Sequence, residues 1–325
     1  MEKGNYNKIS DVKGVRVGHV TLSDKEIQTG VTVILPREGI FQKKCPAAVH
    51  VINGFGKTSG LVQIEEMGTL ESPIALTNTL SVGTVQQALV KYMLQENEEI
   101  GISTGTVNVV VGECNDSYLN AIRACAVREE DVFHAIADAK EDFALGSVGA
   151  GTGMSCFEMK GGIGSASRVF SIAKQQYVLG ALVLSNFGKK QDCLLTQGVS
   201  LESDPSPEQG SILLILATDL PLSSRQLKRL CKRTSVALAR SGSWLGNGSG
   251  DIAIAFSTGN TVDHFSTQPF QTMRTLNENY IDLVFRATIE ACEEAIRSSL
   301  THSETTIGRD GHVRYSLKDT LKRQK

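Results

Sequence analysis

The sequence lacks the features that mark several large classes of protein. Its 33 basic and 35 acidic residues leave a formal net charge of −2, so there is no charge excess for nucleic acid or an anionic membrane. No uncharged apolar run approaches the ~20 residues of a membrane-spanning helix, and the first residues contain no apolar core of a secretory signal. These absences predict a cytoplasmic protein with neither a nucleic-acid nor a membrane partner.

Metal and cofactor motifs are also missing. The seven cysteines are scattered and form no CxxC pair, and the six histidines form no HExxH pattern. The glycine-rich string at 149–153 misses the dinucleotide-binding spacing, because Met154 stands where the third glycine is required. We therefore predict reduced cysteines, no metal ion and no organic cofactor.

What is present is an alternation of β-rich and helical segments. Short runs of Val, Ile and Leu between turn residues predict strands at 31–35, 47–52, 107–111, 178–184, 212–216 and 252–256. Helical patterns cover 82–95, 117–125, 223–241 and 279–300. The segment 191–210 predicts an exposed loop, and the polar tail after residue 300 predicts a frayed end. This organisation predicts an α/β fold in one domain over residues 1–325.

One serine stands in a glycine-rich string at 246–251, directly before the predicted strand at 252–256. Taken alone, Ser249 at this place is commonly part of a turn. A G-x-S-x-G nucleophile elbow is excluded, because that motif leads from a strand into a helix. A serine without a neighbouring histidine can still be activated if the Gly248–Ser249 bond breaks. Its own α-amine, with a pKa of ~7.7–8.0, then serves as the base.

Strings that occur in one order along the chain carry a family resemblance. They are ISDVKGVRVGH at 9–19, LESPIALTNTLSVG at 70–83, VGAGTG at 148–153, ATDLPL at 217–222, GSGD at 248–251 and GRDGH at 308–312. In these strings the chain resembles the L-aminopeptidase/D-esterase family, which includes the β-peptidyl aminopeptidases. The resemblance runs nearly from end to end, and it indicates that Ser249 is the nucleophile.

The resemblance implies a four-layer αββα sandwich similar to the N-terminal-nucleophile hydrolases but differently connected. It implies a precursor that cuts itself at Gly248–Ser249 into an α chain (1–248) and a β chain (249–325). The two chains are expected to stay together in a homo-oligomer. The expected substrate is a small peptide or amino-acid amide with a free amino terminus, and no cofactor is expected.

Two residues of the last long helix are implied as partners of Ser249. The family has a hydroxyl residue and a glutamate two positions later, and Thr288 and Glu290 match this pair, with Thr where Ser is expected. Glu290 is predicted to hold the ammonium groups of Ser249 and of the substrate. The alternative is that Glu290 is one more helix-surface acid beside Glu293 and Glu294.

Further candidates are polar groups on loops. Asn186, at the end of a predicted strand, is the candidate oxyanion donor, and an Asx turn is the equally supported alternative. Backbone amides near Gly149 and Gly151 are candidates for lining the substrate pocket. Three more polar residues are either site residues or partners in loop hydrogen bonds, and the second role is at least as well supported: Asn78, Asn115 and Asp116. These motifs do not indicate which tyrosine of this chain corresponds to the family's active-site tyrosine.

Two other functions remain open from the sequence. Ornithine acetyltransferases share a related sandwich and also cut themselves, but their new terminus is Thr, whereas this chain offers Ser249. A non-catalytic relic that only binds amino compounds or associates with itself is the other alternative. Acetyl transfer to ornithine would indicate the first, and chains that stay intact would indicate the second.

Overall fold

The computed structural model describes residues 1–196, 202–203 and 210–323. Its strands are β1 (Arg16–Asp24), β2 (Ile27–Leu35), β3 (Lys43–Gly54), β4 (Thr69–Leu70), β5 (Ile74–Asn78), β6 (Val110–Cys114), β7 (Ser155–Cys156), β8 (Met159–Lys160), β9 (Gly162–Ile172), β10 (Gln175–Asn186), β11 (Ser211–Thr218), β12 (Gly250–Ser257), β13 (Val262–Asp263), β14 (Thr306–Ile307) and β15 (Val313–Arg314). Its helices are α1 (Leu61–Met67), α2 (Val82–Glu96), α3 (Glu129–Ala137), α4 (Ser224–Ser241), α5 (Ile281–Thr301) and α6 (Leu317–Arg323).

Two sheets form the centre of the fold. The smaller has the order β1-β2-β5-β6, and the larger has the order β13-β3-β12-β11-β10-β9, with β4 paired to β3. Two neighbouring pairs, β5 with β6 and β11 with β12, are parallel. Parallel strands run in the same direction, so a crossover returns the chain to the end of the sheet where the first strand began. The starts of β11 and β12 therefore lie side by side.

The two sheets face each other, and helices cover their outer faces. Apolar side chains such as Val33 and Leu76 of the smaller sheet pack in one core with Leu213 and Ile254 of the larger sheet. A second core joins the outer face of the larger sheet to α4 and α5, while α2 and α3 contact the smaller sheet. The predicted four-layer αββα sandwich is confirmed.

Local signals explain where the helices begin and end. Ser223 Oγ accepts from the Gln226 amide and the Gln226 side chain accepts from the Ser223 amide, which is a capping box at the start of α4. α4 ends at Gly242, whose φ of 108° is readily adopted by glycine but strained for other residues. The helices predicted at 82–95, 223–241 and 279–300 are confirmed as α2, α4 and α5.

The strand predictions are confirmed in part. Those at 31–35, 47–52, 178–184, 212–216 and 252–256 lie inside β2, β3, β10, β11 and β12, whereas the one at 107–111 is displaced to β6. The helix predicted at 117–125 is wrong, because this stretch contains only turns and a short 3-10 segment, Ile122–Ala124. Much of the loop predicted at 191–210 falls outside the described residues.

The frayed end predicted after residue 300 is wrong as well. β14 and β15 form a hairpin there, and α6 follows it. Across the described part of the chain, no helix combines the length and apolar character that crossing a membrane demands.

Candidate active site

A cavity of about 690 Å³ lies at one end of the sandwich. Its lining comes from residues that follow β6 and β10, from residues that precede β11 and β12, and from the C-terminal hairpin. Gly248, Ser211 and Asn186 are part of this lining. A volume of this size suits a small peptide or amide, since small-molecule sites usually measure ~300–1,000 Å³.

Ser249 stands where the chain enters β12, and its residue is 2% exposed. The loop before it is held by the Asn53 side chain, whose Nδ2 donates to the carbonyls of Gly246 (3.0 Å) and Ser249. The Ser249 amide donates to the Gly246 carbonyl at 2.9 Å, and Leu245 has a left-handed φ of 58°. The bond between Gly248 and Ser249 is therefore placed in a tight, fixed turn at the cavity wall.

The Ser249 hydroxyl has a carboxylate acceptor two residues later. Ser249 Oγ donates to Asp251 Oδ1 at 2.7 Å, and Asp251 is 1% exposed. Residues two apart in an extended chain point to the same side, which allows this contact. A register shift between Asp251 and Ile252 marks a bulge, a device that redirects side chains near sites. The sequence string included Asp251, but the contact was not foreseen.

A buried carboxylate that the sequence analysis missed lies beside this turn. Glu113, in β6, is 3% exposed and accepts from the Lys57 amide (2.8 Å) and from the Thr79 hydroxyl. A Cβ on Gly56 would lie 3.6 Å from Glu113 Oε1 and 3.7 Å from Gly250 Cα. The carboxylate and the start of β12 thus border the same small space. Glu113 also lines the cavity.

Asn186 lines the cavity, as expected of an oxyanion donor. Its Oδ1 accepts from the Ser155 amide (2.8 Å), and its Nδ2 donates to the Asn115 carbonyl (3.0 Å). The side-chain amide nitrogen carries two hydrogens, so Nδ2 has a second N–H besides the one that bonds Asn115. In the register, Asn186 pairs with Ser211 and Ser211 pairs with Gly250, which places Asn186 two strands from the nucleophile.

Tyr118 is the tyrosine in the described lining of this cavity. It belongs to the stretch at 117–125 for which the sequence predicted a helix. No local pattern pointed to it, because the tertiary fold, not the local sequence, places Tyr118 in the cavity wall. Asn115 lies in the lining too, whereas the Asn78 side chain accepts from the amides of Leu80 and Ser81 and caps a short turn.

The structure does not bring Thr288 and Glu290 to Ser249. Glu290 Oε2 accepts from Arg168 Nε (3.3 Å) and from the Met1 ammonium (2.9 Å), in a charged groove of about 420 Å³ on α5. The Thr288 hydroxyl donates to the Val284 carbonyl of its own helix at 2.8 Å.

The strand register shows how far apart the two places are. Arg168 pairs with Leu179, Leu179 pairs with Thr218, and Thr218 pairs with Ser257 at the end of β12. Ser249 precedes the start of β12, so the length of this eight-residue strand, roughly 25 Å, separates the two places. The site roles predicted for Thr288 and Glu290 are corrected accordingly. α5 packs on β9 and β10, and its residues Thr288 and Glu290 lie towards the end of the sheet that is far from Ser249.

The amides of Gly149 and Gly151 do not face the cavity either. The Gly149 amide donates to Thr21 Oγ1 (2.8 Å) and the Gly151 amide donates to the Val148 carbonyl (2.8 Å). Both glycines are buried in a short turn against β1 and β2. The prediction that they line the pocket is corrected, because their donors are used inside the fold.

A buried lysine fixes the same turn. Lys160 Nζ is fully buried and donates to the carbonyls of Gly151 (2.9 Å), Met154 (3.1 Å) and Gly161 (2.6 Å). Burial lowers the pKa of Lys160 and raises the pKa of Asp116, while each charge opposes the shift of the other. Asp116 Oδ1 accepts from Asn120 Nδ2 at 3.0 Å, a hydrogen bond within its own loop.

The described residues contain no group of three or more His, Cys, Asp and Glu side chains that could hold a metal ion. The polar groups at this end of the sandwich are the Ser249 hydroxyl with its partner Asp251, and the Glu113 carboxylate and Asn186 amide in the cavity wall. Such a set suits acyl transfer to a serine oxygen, with an amide donor for the oxyanion.

Comparisons with known proteins agree with this chemistry. The β-peptidyl aminopeptidase BapA of Sphingosinicella microcystinivorans is 34% identical, over 95% of this chain and 85% of BapA. The crystal structure of the PH0078 protein of Pyrococcus horikoshii OT3 matches with a TM-score of 0.92 and 50% identity, over 99% of this chain and 94% of that one.

A third comparison concerns the fold. The L-aminopeptidase D-Ala-esterase/amidase of Ochrobactrum anthropi is a prototype for the serine aminopeptidases and a new variant of the N-terminal-nucleophile hydrolase fold. It matches with a TM-score of 0.91 and 33% identity, over 99% of this chain and 95% of that one. The model of peptidase family S58 matches residues 7–314. The chain therefore belongs to peptidase family S58 and is a serine aminopeptidase of the N-terminal-nucleophile-like fold.

Proposed function

We propose that this aminopeptidase activates itself by cutting the Gly248–Ser249 bond. Ser249 Oγ attacks the Gly248 carbonyl carbon, the amide C–N bond breaks, and the chain is joined through an ester. Water then hydrolyses the ester, which leaves a carboxylate on Gly248 and a free α-amine on Ser249. The products are an α chain of residues 1–248 and a β chain of residues 249–325, which together form one domain.

The observation that carries this proposal is the fixed turn around Ser249. The serine is buried, its loop is clamped by Asn53, and its hydroxyl already has an acceptor in Asp251. Gly248 has no side chain that could hinder the approach of Oγ to its carbonyl. The Asp251 contact fixes the orientation of the buried hydroxyl, next in the chain to Gly248 in the cavity wall.

In turnover, the freed α-amine of Ser249 takes the proton of its own hydroxyl as Oγ attacks the substrate carbonyl. Its reference pKa of ~7.7–8.0 suits a base that works near neutral pH. Asn186 Nδ2 donates to the oxyanion of the tetrahedral intermediate. The proton passes to the leaving amine, and water hydrolyses the acyl-serine ester, which restores Ser249.

The substrate is a small peptide or amino-acid amide with a free amino group. Glu113 binds that ammonium group, because it is a buried carboxylate beside Gly250 in the wall of the cavity. A carboxylate in a water-poor site favours a charged amine over an acylated one. Glu113 takes the role that the sequence analysis assigned to Glu290.

The protein works as a homo-oligomer in the cytoplasm. Support for self-association comes from the exposed apolar residues that follow β13, where Phe270 is 90% exposed and Phe265 is 57% exposed. Exposed apolar clusters commonly mark surfaces that another chain covers. Light scattering of the wild type and of Phe270→Ser tests this, with a smaller mass expected for the variant.

The decisive experiment compares wild type with Ser249→Ala by intact mass, N-terminal sequencing and hydrolysis of amino-acid amides. Wild type should yield two fragments, the smaller beginning Ser-Gly-Asp-Ile, while Ser249→Ala should fold, stay uncut and show no turnover. Active wild type in one uncut piece would sink the proposal. Acetyl transfer to ornithine without amide hydrolysis would indicate an acyltransferase. A wild type that stays intact and inactive would indicate a non-catalytic relic.

A further inference from the structure

The GRDGH string at 308–312 has no part in the chemistry described above, yet it borders the cavity. It forms the turn between β14 and β15 and packs on the loop that follows β6. The Arg309 amide donates to the Leu119 carbonyl at 2.7 Å. A Cβ on Gly308 would lie 2.0 Å from the same carbonyl oxygen, so only glycine allows this approach.

The hairpin places Arg314 in a fixed position on the cavity wall. Its guanidinium carbon lies 3.5 Å from the centre of the Tyr118 ring, and its Nε donates to Ser155 Oγ at 3.1 Å. The Tyr118 ring stacks on His312, with ring centres 4.7 Å apart and planes inclined by 17°. A planar guanidinium held in this way is ordered before a ligand arrives, which suits it to bind a planar anion.

The charges of the lining favour an anion at this wall. In the part of the lining that the structure describes, four side chains are cationic and two are anionic: Lys57, Lys189, Arg309, Arg314, Glu113 and Glu158. Glu158 forms an ion pair with Lys189 at 3.0 Å. Glu113 lies beside Gly250, and the Asp310 carboxylate that contacts Arg309 at 3.5 Å is 67% exposed.

A chain of contacts joins this wall to the nucleophile. Arg314 bonds Ser155, the Ser155 amide bonds Asn186 Oδ1 at 2.8 Å, and Asn186 is two strands from Gly250 in the register. The arginines thus line the same cavity as Gly248, the residue before Ser249. They come from the C-terminal hairpin, whereas Glu113 comes from β6.

We propose that Arg309 and Arg314 bind a carboxylate of the substrate beyond the scissile bond. The preferred substrates are then short peptides that carry a carboxylate on the leaving amine, rather than amides with a neutral leaving group. This inference rests on the proposed function, in which Glu113 binds the ammonium of the acyl part and Ser249 attacks its carbonyl. It deepens that function by naming the substrate class.

The experiment measures kcat/KM for three substrates, as α- and β-peptides. Alanyl-alanine has a terminal carboxylate, alanyl-alanine amide has none, and the α-amide of alanyl-aspartic acid has only a side-chain carboxylate. Wild type should prefer a carboxylate substrate over the neutral amide by roughly 10- to 100-fold, the effect expected of one charge-assisted pair. The acidic substrate with the higher kcat/KM shows whether the arginines bind a terminal or a side-chain carboxylate.

The matched variants are Arg314→Gln, Arg309→Gln and Arg314→Lys. The preference should fall towards onefold in the Gln variants, and Arg314→Lys should keep part of it through its charge. The Arg309 side chain is 37% exposed, so Arg309→Gln should fold and can test the inference if Arg314→Gln does not fold.

Wild type that cuts none of the three peptides overturns the proposed function and this inference with it. Equal kcat/KM for acidic and neutral substrates overturns only this inference. A preference that persists undiminished in the folded Gln variants does the same.

Discussion

The Ser249 hydroxyl donates a hydrogen bond of 2.7 Å to Asp251 Oδ1, and both residues are buried. In the uncut chain Ser249 has no free amine, so another group must accept the hydroxyl proton as Oγ attacks. Asp251 is the carboxylate already in contact with that hydroxyl. In the proposed mechanism, the base for self-cleavage and the base for turnover are therefore different groups.

This difference leads to a prediction for Asp251→Asn. An amide cannot take up the proton, so self-cleavage should slow by about 10²-fold or more, the contribution typical of a general base. A time course of fragment formation by denaturing electrophoresis measures it. Asp263→Asn, which changes an exposed aspartate of β13, should cut at the wild-type rate. Equal rates for Asp251→Asn and wild type would show that Asp251 is not the base.

Glu113→Gln tests the ammonium site. The amide still accepts from the Lys57 amide and Thr79, but it loses the charge that attracts an ammonium. We expect a KM for free-amine substrates that rises about 10- to 100-fold, with a smaller change in kcat. Steady-state kinetics on an amino-acid amide and its N-acetylated form give the answer. If the two substrates keep the wild-type ratio of kcat/KM, Glu113 does not bind the ammonium.

Glu290→Gln should behave differently, because Glu290 lies at the far end of β12. Its carboxylate pairs with Arg168, which also pairs with Glu294 at 2.6 Å. Replacing it should lower the free energy of unfolding by about 0.5–1 kcal/mol and leave KM and kcat as in wild type. Urea unfolding and the amide assay measure the two effects. A loss of turnover in a folded Glu290→Gln protein would restore Glu290 to the site.

The sequence predicted those parts of the molecule that depend on neighbours in the chain. Ser249 stands in a short glycine-rich string, and the strands around it are continuous apolar runs, so both were visible locally. Glu113 was missed because its position beside Gly250 arises only when the smaller sheet packs on the larger one. Nothing near residue 113 records that contact.

The errors have a similar cause. Thr288 and Glu290 share a helix, but helical spacing does not tell which end of the sheet the helix covers. The tail was expected to fray because it is polar. Part of its order comes from the contacts of Arg314 and His312 with Tyr118, which is distant from both in the sequence.

His19 provides a test of the fold that supports the site. Its Nε2 contacts the Ala144 carbonyl (3.1 Å) and its Nδ1 contacts Thr32 Oγ1 (2.9 Å). A carbonyl only accepts, so Nε2 carries the proton and Nδ1 accepts from the threonine hydroxyl. Burial is the main cause that lowers the pKa of His19 from 6.5 to about 4. The folded protein therefore contains a neutral His19.

A lowered pKa in the folded state makes stability depend on pH in one direction. Above pH 6.5 His19 is neutral in both states, whereas between pH 6.5 and about 4 only the unfolded chain takes up the proton. The wild type should thus lose up to about 1.4 kcal/mol of unfolding free energy per pH unit as pH falls through this window, about 3 kcal/mol in total. His19→Gln, which cannot titrate, should be less stable at pH 7.5 but lack this part of the slope. Urea unfolding at several pH values from 4 to 7.5 measures both curves, with His134→Gln in the exposed face of α3 as the matched control. Parallel curves for His19→Gln and wild type would show that His19 is not the group responsible.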